Sequence, residues 1–183
     1  MLIARKTKSN NIAEHVLYMY QIEDIIRSNN LDLETIYHSI LAPQIEDESL
    51  LAEYKNWYAG LIKTMTAEGI QKKGHLSDIN EILMELLLLH NTLLNIVKNQ
   101  KYLEVFEKAL PALKDFQIKS NANDLNIIET GFNALYSKII LKLKKQAITA
   151  ATEDAFQSIS SLFAYLAAYY VKMKKGDLNF ANN

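Results

Sequence analysis

The sequence predicts an all-α fold, a single-domain bundle of six to seven helices spanning residues 1–183. Helix breakers are scarce, since the 183 residues include only five glycines and two prolines, and this disfavours turn-rich β-sandwiches and Gly-rich phosphate loops. Apolar residues make up 49% of the chain and recur at helical spacing. The chain has no cysteine, which excludes disulfide scaffolds, zinc ribbons and thiol nucleophiles. A chain of this length can bury a core without such cross-links.

Capping residues and helix breakers divide the chain into seven predicted helices. Their approximate ranges are 11–28, 33–42, 48–68, 78–98, 100–118, 125–145 and 152–176. The boundaries depend on cap residues at helix starts, such as Asp32, and on glycines after helix ends, such as Gly69. Pro111 lies inside the fifth helix, which we therefore expect to kink or split near residues 109–110.

Helix 78–98 is predicted to be central, because it has a wide apolar stripe. Residues 1–8 are predicted to form a basic N-terminal tail, and residues 177–183 a frayed C-terminal tail. No apolar stretch of a secretory signal follows the basic start. The longest apolar run, Leu86–Leu89, is four residues long, far short of the roughly 20 that a membrane span requires. We expect a cytoplasmic protein that does not bind membranes.

Polar and aromatic residues interrupt or flank the apolar stripes, and these are the candidate site residues. Glu23 and Arg27 share the inward arc of the first helix at a favourable spacing of four. His90 falls near the middle of the fourth stripe. The full candidate set is Tyr20, Glu23, Arg27, His90, Glu129 and Tyr136. Carboxylates and imidazoles on facing helices build metal or acid/base sites in bundles, so the charged members and His90 are hypothesised to converge.

Two interpretations of this polar interior stay open. It is a structural network that fixes helix register, which we favour, or a pocket that binds a small molecule or catalyses a reaction. No Glu is followed three residues later by His, so the di-metal signature of helical bundles is absent. Arg27 would also repel a cation. We predict no metal and no other cofactor, and we assign no catalytic residue.

Charge is distributed unevenly along the chain. Residues 1–91 carry a net charge of −5 and residues 92–183 a net charge of +4, a complementarity that favours packing of the halves on each other or on a second copy. We expect a homodimer that acts as an interaction or scaffold protein. Tyr165 and Tyr169, on the far side of the seventh helix from its core stripe, are the candidate partner surface. Lysines at the ends of the sixth and seventh helices complement helix dipoles, so nucleic-acid binding is the weaker alternative.

Several short strings along the chain are familiar as a set. They are Asn11–Glu14, Leu17–Gln21, Glu23–Arg27, Trp57–Tyr58, Lys73–Leu76, Leu89–Asn91, Ala109–Pro111, Glu129–Thr130, Ala134–Tyr136 and Ala167–Tyr170. Through them the chain resembles an uncharacterised bacterial family, domain of unknown function 4924, over nearly its whole length. Tyr20 stands where that family usually has tryptophan. The resemblance implies an all-helical bundle of one domain with no assigned activity, so it strengthens the fold prediction and adds no reaction.

Overall fold

The computed structural model describes residues 7–177, and this part of the chain is helical without any β-strand. Its α-helices are α1 Ile12–Ser28, α2 Leu33–Ile36, α3 Glu48–Ala67, α4 Ser77–Asn91, α5 Gln100–Lys119, α6 Ile127–Leu143 and α7 Ala150–Lys174. Residues 7–10 form a helical turn directly before α1. The predicted all-α bundle is therefore confirmed.

Two helices continue into π turns. Tyr37–Leu41 extends α2, and Thr92–Ile96 extends α4. In the second turn the N–H of Val97 donates to the carbonyl of Thr92 at 2.9 Å, a bond across five residues that widens the helix by one residue per turn. The predicted helix 78–98 therefore forms as α4 followed by this π turn.

Side-chain caps set the helix starts. Asp32 accepts a hydrogen bond from the N–H of Glu34 at 3.0 Å, and Asp47 accepts one from Leu50 at 2.8 Å, as expected of N-cap residues. The sixth helix begins later than predicted, because Asn126 is its cap. We predicted that the fifth helix kinks or splits near Pro111. The split is wrong, because α5 runs unbroken through that residue.

The hydrophobic core forms where α7 packs against the helices that surround it. Helix α7 contacts α1, α4, α5 and α6, and α4 with its π turn contacts α1, α5, α6 and α7. The central place predicted for helix 78–98 agrees with these contacts, although one face of α4 remains exposed. Helix α3 packs on α2 and its π turn, so it forms an outer layer.

Helices α6 and α7 pack closely at Gly131. A Cβ added there would lie 2.2 Å from Cε2 of Phe163, well inside van der Waals contact. Phe163 is itself buried and packs against Phe132 with ring centroids 4.6 Å apart. Glycine at position 131 is therefore required by the packing of the two helices.

The ends of the chain are described only in part. Residues 1–6 of the predicted N-terminal tail and residues 178–183 of the predicted C-terminal tail lie outside the described residues, while residues 7 and 8 are helical. Between residues 7 and 177, no helix is both long enough and apolar enough to cross a membrane.

Candidate functional site

The carboxylate of Glu23 occupies the interior of the bundle and is completely buried. One carboxylate oxygen lies 2.6 Å from Nδ1 of His75. The other accepts a hydrogen bond from the backbone N–H of Leu76 at 2.9 Å. Glu23 thus joins the middle of α1 to the residues that precede α4, and both of its oxygens have a hydrogen-bonding partner, as a buried carboxylate requires.

Arg27 binds the same connection one helical turn further along α1. Its guanidinium donates to the carbonyl of Ile70 at 3.4 Å and to the carbonyl of Gly74. It also lies 3.3 Å from Asp24 and 3.9 Å from Glu23. Because the guanidinium bonds are made to backbone oxygens 43 and 47 residues away, Arg27 holds the loop before α4 against α1.

Aromatic rings enclose the Glu23–His75 pair. The ring of Tyr20 stacks on the imidazole of His75, with centroids 3.8 Å apart and planes inclined by 5°. Tyr136 meets Tyr20 edge-on at 5.7 Å, and its hydroxyl donates to Asp24 at 2.6 Å. Burial, followed by the charge of Glu23, raises the pKa of Tyr20 above its ordinary value. Burial and the bond to Asp24 do the same for Tyr136.

These residues form what we call the Glu23 cluster: Tyr20, Glu23, Arg27, His75 and Tyr136. Four of the six predicted site residues belong to it. Among the residues that the structure describes, every buried side-chain nitrogen or oxygen has a hydrogen-bonding partner, so the cluster leaves no fully buried polar atom unpaired. Across residues 7–177, no group of three or more His, Asp or Glu side chains is placed to hold a metal ion.

His75 is the member of the cluster that the sequence analysis missed. It lies in a Lys-Lys-Gly-His loop before α4, a composition typical of a solvated turn. Gly74 adopts a φ of +92°, which favours glycine, and its carbonyl accepts from Arg27. The sequence signal that could have pointed to His75 is a glycine followed by a histidine directly before the start of a helix.

His90 does not join the Glu23 cluster, and the predicted convergence is wrong for this residue. It lies 14 residues beyond Leu76 on α4, a separation of about 20 Å along a helix. Its Nδ1 shares a hydrogen bond of 2.5 Å with the hydroxyl of Tyr102, and its ring meets Phe106 edge-on at 4.9 Å. Burial lowers the pKa of His90 to about 4, so the imidazole is neutral near pH 7.

Glu129 is also placed differently from the prediction. It is the third residue of α6 and forms a capping box with Asn126. Its carboxylate accepts from the Asn126 backbone at 3.2 Å and from the Asn126 side chain at 2.7 Å. A carboxylate in a capping box satisfies backbone donors at the helix start, and this accounts for its position at the edge of the apolar stripe.

Tyr165 and Tyr169 do not lie on a free outer face of α7, which corrects the prediction of a far-side surface. Their rings stack on each other at 5.1 Å and both are half-buried. The hydroxyl of Tyr165 donates to Oδ1 of Asn99 at 3.0 Å, and Nδ2 of Asn99 donates to the hydroxyl of Tyr169 at 3.1 Å. The two tyrosines therefore bind the start of α5.

A groove opens beside this tyrosine pair. Its volume is about 660 Å³, and we call it the lysine groove. The residues that line it are Lys98, Asn99, Gln100, Lys101, Tyr165, Ala168, Tyr169 and Lys172.

A second groove of about 420 Å³ lies between α1 and α3, where Met19, Trp57 and Leu61 form apolar walls. His15 lines this second groove and is buried.

Fold and interior together define a class of protein: an all-helical, single-domain bundle with a closed polar cluster beneath the start of α4. Within that class, the chain belongs to the family described as Domain of unknown function (DUF4924), whose sequence profile matches residues 1–177. No curated protein and no solved structure matches the chain.

Proposed function

We propose that this chain is a bacterial cytoplasmic interaction protein that forms a homodimer through the exposed face of α4. In this proposal the Glu23 cluster has a structural role: it fixes the loop before α4 to α1 and thereby sets the position of α4. The observation that carries the proposal is the row of exposed apolar side chains on α4 and its π turn.

The exposed apolar row consists of three large side chains. Met84 is 64% exposed, Leu88 is 67% exposed and Ile96 is 77% exposed. No Asp, Glu, Lys or Arg occurs from residue 86 to residue 97. The π turn contains one residue more than an α-helical turn, which changes the angular position of the residues that follow about the helix axis. Ile96 therefore lies closer to the face that carries Met84 and Leu88 than it would on a regular α-helix. Clustered exposed apolar residues of this kind mark protein interaction sites.

Charge complementarity favours a second copy as the occupant of this face. Glu85 and Lys98 flank the uncharged segment directly; Glu81 lies eight residues before Leu89, and Lys98 lies eight residues after His90. In an antiparallel pair of α4 helices related by a twofold axis, Glu81 of each copy therefore approaches Lys98 of the other. The same symmetry brings Met84 against Ile96, and such self-complementary patches are what twofold dimers use.

Size-exclusion chromatography with light scattering tests the dimer. The wild-type protein should have twice the chain mass of 20.9 kDa, and Leu88→Asp should give a monomer because the substitution buries a charge at the interface. Ile118→Asp is the matched control, since Ile118 is 69% exposed on α5 and should leave the dimer intact. A wild-type protein that stays monomeric at high concentration would contradict the proposal.

A charge exchange tests the antiparallel arrangement. Glu81→Lys alone should weaken the dimer, because it places like charges together, and adding Lys98→Glu should restore it. An unchanged dimer in both variants would show that the copies meet elsewhere.

Native mass spectrometry of the purified protein separates the structural role of the Glu23 cluster from a binding role. We expect no retained small molecule whose binding depends on Glu23. A retained molecule that is lost in Glu23→Gln, in a protein that remains folded, would instead support an interior binding site. Cell fractionation tests the location and should recover the protein with the cytoplasm.

A further inference from the structure

The lysine groove combines positive charge with a rigid aromatic wall. Lys98 and Lys101 flank the start of α5, and Lys172 reaches the groove from α7. All three lysines are exposed. The three lysines therefore line one concave surface, which the start of α5 and the distant helix α7 contribute together.

Within one copy of the chain, no carboxylate of the described residues neutralises these lysines; in the proposed dimer Lys98 approaches Glu81 of the second copy, and Lys101 and Lys172 stay unpaired. The residues that line the groove include no Asp or Glu, and among residues 7–177 none of the three lysines forms an ion pair. Lys172 lies over the ring of Tyr169, with Nζ 5.1 Å from the ring centroid. Some lysines elsewhere are paired, as Lys138 with Glu153 at 2.6 Å and Lys174 with Glu85 at 2.6 Å. The groove is thus a local excess of positive charge.

The floor of the groove is held in place by Asn99. This residue is 3% exposed, and its side chain makes three hydrogen bonds: it accepts from the N–H of Tyr102 at 2.8 Å and from Tyr165, and it donates to Tyr169. Burial, with a smaller effect of Tyr169, raises the pKa of Tyr165 to about 12, so this hydroxyl stays neutral and adds no negative charge. Tyr165 and Tyr169, which form the aromatic wall of the groove, are therefore held in place before any ligand binds, and this lowers the entropic cost of binding.

From this arrangement we infer that the lysine groove binds the diphosphate or triphosphate group of a small molecule. Several positive charges that converge without counter-ions match a ligand with several negative charges in a short length. The volume of about 660 Å³ lies within the range of about 300–1,000 Å³ that small-molecule sites occupy. The N–H groups of Gln100 and Lys101, at the first two positions of α5, have no carbonyl partner within the helix, and they add two donors of the kind that phosphates accept.

Isothermal titration calorimetry of the full chain with sodium triphosphate tests this inference. We expect saturable binding of one triphosphate per chain at about 50 mM salt, weakening as salt screens the lysines. Removing two of the three charges with Lys101→Gln and Lys172→Gln should weaken binding by about tenfold or more. Neither residue belongs to the exposed apolar row of α4, so a lost dimer and lost anion binding are distinguishable results.

The matched control removes the same charge elsewhere. Lys144→Gln with Lys145→Gln changes two exposed lysines at the end of α6, outside the groove, and should leave the affinity within about twofold if the binding is local. Equal losses in the two double variants, or no saturable binding by the wild type, would overturn the inference. Thermal unfolding of each variant confirms that it is folded.

Further probes identify what the groove recognises. ATP should bind at least as tightly as triphosphate, and adenosine should not bind, because the phosphates supply the recognition. Binding of adenosine without triphosphate would overturn the inference. So would binding of a single-stranded oligonucleotide by a protein that does not bind triphosphate, since that result would assign the lysines to a nucleic acid.

Discussion

Glu23 and His75 are 52 residues apart in the sequence, and a carboxylate oxygen of one lies 2.6 Å from Nδ1 of the other in the interior of the protein. The second oxygen of Glu23 accepts from the N–H of Leu76, the residue directly before α4. One buried carboxylate therefore positions the start of α4 against α1. Tyr20 stacked on His75 completes the contact.

Replacing Glu23 by Gln should lower the free energy of unfolding by about 2–3 kcal/mol, because the amide offers one accepting oxygen in place of two and exchanges the charge-assisted bond to His75 for a weaker neutral one. Chemical denaturation at pH 7 measures the change. Glu53→Gln is the control, since Glu53 is exposed on α3 and should change stability by less than about 0.5 kcal/mol. Equal effects of the two substitutions would show that the Glu23 contacts contribute nothing.

Replacing Gly131 by Ala should destabilise the protein by about 1–3 kcal/mol, because the new methyl group would overlap Phe163 between α6 and α7. Gly60→Ala is a matched change within α3, where an added Cβ meets nothing within 4 Å. There the better helix propensity of Ala should stabilise the protein by about 0.5–1 kcal/mol. Thermal unfolding of the two variants should therefore give shifts of opposite sign.

His90 should make stability depend on pH. The pKa of His90 is about 4 in the folded protein and about 6.5 in the unfolded chain. Below pH 6.5, the imidazole therefore binds a proton in the unfolded chain but stays neutral in the folded protein. The stability that the neutral imidazole contributes is present above pH 6.5 and is lost progressively as the pH falls toward 4. Between pH 7 and pH 5, this group should account for a loss of about 2 kcal/mol.

The variant His90→Leu isolates this contribution from those of the other histidines. Denaturation curves at pH 7 and pH 5 should show a smaller loss of stability in the variant than in the wild type. If the two proteins lose the same stability on acidification, His90 is not held neutral by burial.

Asn99→Ala should lower the free energy of unfolding by about 2–3 kcal/mol, because it removes the cap of α5 and the buried partner of two tyrosine hydroxyls. Asp47→Ala removes a cap that makes one exposed bond, to Leu50. That control should cost about 1 kcal/mol. Denaturant titration compares the two caps directly, and a cost for Asn99→Ala no larger than for Asp47→Ala would mean that the tyrosine contacts add no stability.

Much of the site was predictable from helical periodicity. The wheel of α1 places Tyr20, Glu23 and Arg27 toward the interior, and the structure brings these residues together with Tyr136. The wheel fails for His90, because it reports the direction of a side chain about the helix axis and not its height along that axis. His90 faces inward as predicted, yet it lies about 20 Å along α4 from the Glu23 cluster.

The residue that pairs with Glu23 could not be found from periodicity, because His75 lies in a loop. The composition of that loop favours exposure, but the bonds that Arg27 makes to the carbonyl of Gly74 and Glu23 makes to His75 and Leu76 hold it against α1. Tyr165 and Tyr169 follow the same pattern. Their position on α7 is off the core stripe, and the connection between α4 and α5 covers them through Asn99.

The sequence by itself determined the helices, their caps and the sides that turn inward, since these depend on residues within a few positions of one another. The tertiary structure decided which polar groups meet, because a buried charge takes as its partner whichever donor the packed helices and loops bring within hydrogen-bond distance. Glu23 therefore pairs with a loop histidine and not with the imidazole of His90, and the lysines of α5 and α7 line one groove although they are some 70 residues apart.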